Sequence, residues 1–495
     1  MNDVDAPPEE APPPIGTLAR LSASELLAGY RDRRFSPSEV VEEVIDALTA
    51  TQTRCNVMVT PMFDTARAAA RAATTAWLRG EPTGPLAGVP VSVKDLIFVQ
   101  GTPAHGGAPS FEDFVPAADS AVVSALRAAG AVLTCKTTTC ESGYKLTADS
   151  PVTGVTRNPW RLDRTSGGSS GGAAAAVAAG CGPLAVGTDG VGSIRVPSSF
   201  CGVFGIKPTF GLVPRPPGFF PPSWASLAHT GPIGRTVEDV ALLLGVIAGH
   251  DARDPASLPV PPRRYDISHG DLAGLRIAFS ADLGHAAVSP DVRHRFEGAV
   301  DILRALGAAL SGDAIALDPR LLDRVLKPIA YTEQAAAVLQ RDAALIARSD
   351  PEYRDVIAQG RTYAGVDYVD AMHERTRLRN QFLALFQQYD VLVTPTVAVT
   401  AFAAGTLGVD RIAGQAVDRH LGWSPFSWPI NLVGLPAATI PCGFDADGLP
   451  VGLQIVAPWL EEGRIFRVAA AFEAACPVLP RWPTFPRGEM ERGLV

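Results

Sequence analysis

Lys94 closes the apolar run GVPVSVKD, Ser169 and Ser170 lie inside SGGSSGG, and Ser193 follows the turn GTDGVG. A lysine, a glycine-flanked serine pair and a third serine after a flexible turn are together the parts of a hydrolase that works without histidine. A serine hydroxyl is a poor nucleophile until a base takes its proton, and a lysine amine can be that base once burial lowers its pKa. Ser-Lys chemistry is a known variant of triad logic.

Each motif also has a plainer reading. GGSSGG alone is a flexible turn, and its glycines match GxSxG at both Ser169 and Ser170, the nucleophile elbow of an α/β-hydrolase-like esterase. That elbow needs a strand directly before it, and NPWRLDRTS reads as a poor one, so the elbow is the weaker alternative. A phosphate loop is weaker still, because Ala173 to Ala176 stand where GK[ST] would be needed. GTDGVGSIR alone is a tight turn with Asp189 and Arg195 as an ion pair. Its glycines would also let several NH groups converge on one point, as an oxyanion hole requires. Lysines are usually solvated, but the run before Lys94 argues for a partly buried amine. Lys207, in IKPT, lacks a strand-end setting and reads as structural. The eight histidines show neither metal spacing nor a triad role.

Elements that would position these residues follow from caps and periodicity. Ser22 with Glu25, and Ser36 with Glu39 and Pro37, have capping-box spacing and predict two helices over about 23 to 50. A third is expected around 63 to 78. Apolar runs at 91 to 93, 131 to 134 and 184 to 187 alternate with helical stretches at 119 to 129 and 171 to 180, the pattern of an α/β sheet with its motifs at strand ends. Residues 235 to 390 are richer in helix, with strands returning at 274 to 279, 391 to 394, 438 to 442 and 451 to 456. No repeat and no convincing linker appears, so one large domain is expected after a disordered, acidic and proline-rich tail over 1 to 16.

Composition excludes several classes. At 47% hydrophobic and 19% charged, the 495 residues belong to a globular protein rather than a disordered one. The net charge of -8 comes without a basic stripe, which argues against nucleic acid. Seven cysteines at irregular spacings make neither a disulfide framework nor a metal site, and fit a reducing cytoplasm. The N-terminus lacks the basic start and apolar core of a secretory signal. Apolar windows near 173 to 180 and 237 to 249 are too short to span a bilayer.

Taken together, PLAGVPVSVKD, TRNPWRLDRTSGGSSGGAAAAVAAG and GTDGVGSIRVPSSFCGVFGIKPTFGLVP, over about 85 to 215, resemble the amidase signature family. Later stretches, GPIGRTVEDVALLL and GLPAATIPCGFDADGLPVGLQIVAP, support the match. The resemblance implies an α/β/α sandwich: one large domain, 17 to 495, with a mixed sheet flanked by helices on both faces. It places the family's lysine on Lys94, its bridging serine, after a cis peptide, on Ser169, and its acyl-accepting serine on Ser193. The oxyanion would be held at Gly190, Val191, Gly192 and Ser193, with Asp189 and Arg195 positioning the nucleophile. Many relatives carry two glycines before the nucleophile; here the first is Val191, where a positive φ would be strained. Substrate contacts are expected from Gly143 and from Phe219, Phe220 and Trp224 on a proline-stiffened loop. The implied partner is a small amide, carbamate or ester, with no cofactor, no metal, no nucleic acid and no membrane; a homodimer is left open. The runner-up is the transferase component of a glutamine-dependent tRNA amidotransferase, which would need partner subunits.

Overall fold

The computed structural model describes residues 17–219, 227–261, 263–265, 267, 270–339, 341–476 and 482–483. The tail expected over 1 to 16 lies outside the described residues. Eleven strands form one mixed sheet, in the spatial order Met58–Pro61, Val132–Thr137, Pro90–Lys94, Leu184–Asp189, His229–Gly234, Phe204–Lys207, Ala437–Phe444, Pro450–Val456, Val391–Pro395, Arg276–Phe279, Ala309–Gly312. Side chains along a strand alternate between its faces. Leu184 and Val186 accordingly join one core cluster while Ala185 joins another, so both faces of the sheet are covered. On one face lie helices Ala23–Arg31, Pro37–Cys55 and Gly171–Ala179; on the other lie Ala121–Ala128, Val237–Ile247 and Glu462–Ala475. The result is a single large α/β domain.

Local signals account for where the helices begin. Ser22 and Ser36 accept from the NH groups of Glu25 and Glu39, whose carboxylates bind back to the cap NH groups. Thr236 caps its helix through Asp239. Among the described residues no helix is long and apolar enough to cross a membrane.

Two local readings are corrected. Arg161–Thr165 is a strand after all, paired with Arg157–Asn158. This hairpin stands apart from the central sheet, and Ser166 to Gly168 separate it from Ser169, so no elbow forms. Lys207 does end a strand, Phe204–Lys207, and is fully buried.

The helix Gly171–Ala179 is wholly buried, and its first turn lies against the chain at Thr138 and Val57. A Cβ on Gly172 would fall 2.3 Å from Thr138 Oγ1 and 2.5 Å from both Thr138 N and Val57 O. Backbone cannot rotate aside as a side chain can. Gly172→Ala is therefore expected to cost about 1–3 kcal/mol, the usual range for overpacking. The measurement is the denaturant midpoint; an unshifted midpoint would show that the helix can back away.

Candidate active site

The strand ending in Lys94 runs parallel to both its neighbours, Val132–Thr137 and Leu184–Asp189. Parallel pairing brings their carboxyl ends to one edge, where open α/β sheets hold their sites. Val93 pairs with Val186, so Lys94 falls at the level of Gly187 and its side chain reaches Thr188. Its Nζ lies 2.7 Å from Ser169 Oγ, 2.9 Å from Ser170 Oγ and 2.9 Å from Thr188 Oγ1. No carboxylate is among these partners. Burial pushes the amine down to about 7, against a smaller upward pull from Cys140 and Asp189.

The hydrogen-bond pattern orients that amine. Ser170 Oγ donates to Thr188 O at 3.0 Å and accepts from Thr188 N at 3.2 Å, so toward Lys94 it can only accept. A neutral amine has two N–H donors and one lone pair. Donation to Ser170 Oγ and Thr188 Oγ1 leaves the lone pair for Ser169, whose peptide bond to Gly168 is cis. Ser170, weighed above as an elbow centre, is thus a brace for Lys94.

Ser193 sits in the turn after Leu184–Asp189, nearly buried, and its Oγ has no hydrogen-bond partner among the described residues. Ser170 N donates to Ser193 O at 3.1 Å, joining the two loops. Gly192 takes the positive φ of the turn, +134°, and Val191 does not, so the strain expected at Val191 is absent. Gly192 also could not carry a side chain, because a Cβ there would meet Ser427 Oγ at 2.5 Å. A second expectation changes: the Gly192 NH is not free for an oxyanion, since it donates to Asp189 Oδ1 at 2.8 Å. The NH groups of Gly190, Val191 and Ser193 have no protein acceptor among the described residues.

Asp189 and Arg195 are both fully buried, and their side chains pair at 3.0 Å. Burial alone would push the Asp189 carboxyl up; Arg195, with Lys207 and Asn431, holds it well below the usual carboxylate range. Arg195 also donates to Ser427 O, Gln454 Oε1 and Asn431 Oδ1. Asn431 Nδ2 returns to Asp189 O at 3.0 Å, and Ser427 Oγ donates to Val191 O at 2.7 Å. His229 Nδ1 touches two carbonyl oxygens, Leu227 O at 2.7 Å and Asp189 O at 3.2 Å, so it carries the proton. Sequence reasoning missed Ser427, Asn431, Gln454 and His229. No local pattern could reveal the first three, because they meet the turn from more than 230 residues away. Lys207 donates to the carbonyls of Pro208 and Leu435 rather than to a serine.

Ser169, Gly190, Val191 and Ser193 open on a cavity of about 570 Å³. Gly143 and Phe219 line it, Gly143 so close that a Cβ there would lie 3.4 Å from Ser169 Oγ. Phe219 is held by Phe98 and Phe111, with ring centroids at 4.8 and 4.4 Å. Phe220 and Trp224 lie outside the described residues. Among the described residues no group of three or more His, Cys, Asp or Glu side chains is placed to hold a metal ion.

The family model for amidase matches residues 39–466. An acylamidase of Rhodococcus erythropolis is 36% identical over 473 residues, covering 94% of this chain and 97% of that protein. One subunit of the glutamyl-tRNA(Gln) amidotransferase of Synechococcus sp. (strain RCC307) is 36% identical over 489 residues, covering 92% and 97%. The crystal structure of a bacterial aryl acylamidase of the amidase signature family superimposes with a TM-score of 0.86 at 30% identity, covering 93% of this chain and 97% of that one. The chain therefore belongs to the amidase signature family and is a hydrolase of amide C–N bonds.

Proposed function

We propose that the chain cleaves an apolar or aryl amide by acyl transfer to Ser193, with carbamates and esters open to the same chemistry. The observation that carries this reading is the buried Lys94 amine, without a carboxylate partner, 2.7 Å from Ser169 Oγ. Lys94 accepts a proton from Ser169, which takes one from Ser193 as its oxygen attacks the carbonyl carbon. The NH groups of Gly190, Val191 and Ser193 receive the negative charge on the carbonyl oxygen. The relay then reverses: Lys94 returns the proton through Ser169 to the departing amine as the C–N bond breaks. Water, deprotonated along the same route, releases the acid from Ser193. Asp189 and Arg195 act by holding the turn.

Leu96, Ile97, Val122 and Phe219 make much of the cavity wall apolar and support an apolar substrate. The likeness to the amidotransferase component favours a second reading, in which the amide is glutamine and the chain works only with partner subunits. Turnover of a simple aryl amide by the purified chain alone supports the first. Activity confined to glutamine plus a partner protein would support the second.

Ser193 is expected to be the residue labelled by a fluorophosphonate, located by peptide mapping. Labelling on Ser169 or Ser170 with Ser193 untouched would overturn the assignment. Because the base must be neutral, kcat/KM is expected to rise with pH through about 7 and to level off above it. Lys94→Arg is expected to lose about 10²- to 10⁴-fold in turnover, the range of general acid-base groups. Guanidinium stays protonated and cannot accept the proton. Near-normal turnover in Lys94→Arg would remove the relay.

A further inference from the structure

The cavity lining carries a polar patch as well as the apolar one. Ala330, Glu333, Gln334 and Ala337 follow one another at helical spacing along Lys327–Ala337 and all line the cavity. The two alanines leave room, so the Glu333 and Gln334 side chains set the chemistry of that wall. Tyr368 Oη donates to Glu333 Oε1 at 3.1 Å, and Tyr353 Oη donates to Gln334 Oε1 at 2.8 Å. Each phenol thus fixes one oxygen. Glu333 Oε2 and Gln334 Nε2 have no hydrogen-bond partner in the protein among the described residues.

We propose that Glu333 and Gln334 form a specificity subsite for a substrate whose distal end carries a second amide-type group, its N–H donating to Glu333 and its carbonyl accepting from Gln334. This rests on the hydrolase reading above and names the substrate class for that same cavity. An acceptor beside a donor matches the N–H and C=O of an amide, carbamate or urea. Burial pushes the Glu333 carboxyl up to about 7, against smaller downward pulls from the Tyr368 hydroxyl, Arg375 and Arg215. The carboxyl thus offers lone pairs rather than a strong negative field, which selects a neutral N–H over an ammonium. At about 570 Å³ the cavity is also in the range that encloses a drug-sized molecule, so reacting and distal groups fit together.

A substrate without the distal N–H would leave a partly buried carboxyl oxygen unpaired, and an acceptor left unsatisfied costs its desolvation without return. Three aryl amides sharing one scissile bond test this: one with a distal acetamido group, one with the ketone isostere lacking only the N–H, and one with a distal aminomethyl group. Cleavage at the shared bond is followed by chromatography. The wild type is expected to favour the acetamido compound over the ketone by about 10- to 100-fold in kcat/KM, mostly through KM, in line with uniform binding. Glu333→Ala should bring the ratio near one, while Glu333→Gln, which keeps an acceptor oxygen, should retain part of it. A ratio near one in the wild type, or a wild-type ratio surviving in Glu333→Ala, overturns the proposal. So does preference for the aminomethyl compound, which would make charge the selected property. Absence of turnover on all three counts against the hydrolase reading alone. Equilibrium binding of the same compounds to Ser193→Ala then reads the selection directly, with the same ratios deciding it.

Discussion

An ammonium group taken out of water without a counter-ion costs several kcal/mol, and a lysine in that position gives up its proton instead. Lys94 meets this condition at the end of a central strand, and its neighbours are hydroxyl groups and a carbonyl. Other buried lysines in the chain show what the partner decides. Lys136, equally buried, has Asp95 at 3.0 Å, and burial still lowers its pKa against the pull of that single carboxylate. Lys145 is held by Asp149 and Asp350, and the two carboxylates outweigh its burial and raise its pKa. Lys207 has only carbonyl partners and is pushed far down, chiefly by burial and also by Arg195. Lys94 differs from Lys207 in its surroundings rather than its burial: it faces serine hydroxyls that can exchange protons.

The turn that carries Ser193 depends on a second buried charge arrangement, an ion pair. Asp189 and Arg195 pair with each other, and their remaining lone pairs and protons are taken up by Gly192 N, Ile194 N, Asn431, Gln454 and Ser427 O. A buried ion pair is tolerable when its hydrogen bonds are filled in this way. The consequence for chemistry is subtractive as well as supportive. By engaging the Gly192 NH, Asp189 removes one donor from the turn and leaves three directed elsewhere. The conformation that remains is set by Gly192, whose φ a side chain would rarely adopt and whose Cβ Ser427 would exclude.

The cavity has a different origin. Its floor comes from the two loops that carry Ser169 and Ser193, while its polar wall comes from the helix Lys327–Ala337, a segment without a motif of its own. In the proposed reading the reacting groups lie at the sheet edge and the selective groups on a separate element. The phenols of Tyr353 and Tyr368, which orient that wall, come from two further helices, Pro351–Gly360 and Gly365–Gln388.

Much of this was legible in the sequence. Lys94, the pair Ser169 and Ser170, and Ser193 could be singled out because glycine runs and a strand-end lysine are local features, while only the family resemblance chose Ser169 from the pair; the caps at Ser22, Ser36 and Thr236 depend on residues three positions apart. Alternation of apolar runs with helical stretches was enough for an α/β sheet. Three things were not legible. The strand at Arg161–Thr165 is too polar to read as one and is sustained by its hairpin partner. Val191 could be judged only once Gly192 was seen to carry the unusual φ. The partners of Arg195 and the Glu333 wall are assembled by folding, from residues whose neighbours in the chain give no hint of them. Periodicity, capping and turn chemistry act over a few residues and are therefore written in the sequence; the pKa of a buried amine, the direction of a free NH and the chemistry of a cavity wall depend on what the chain brings together across hundreds of residues, and only the tertiary structure decides them.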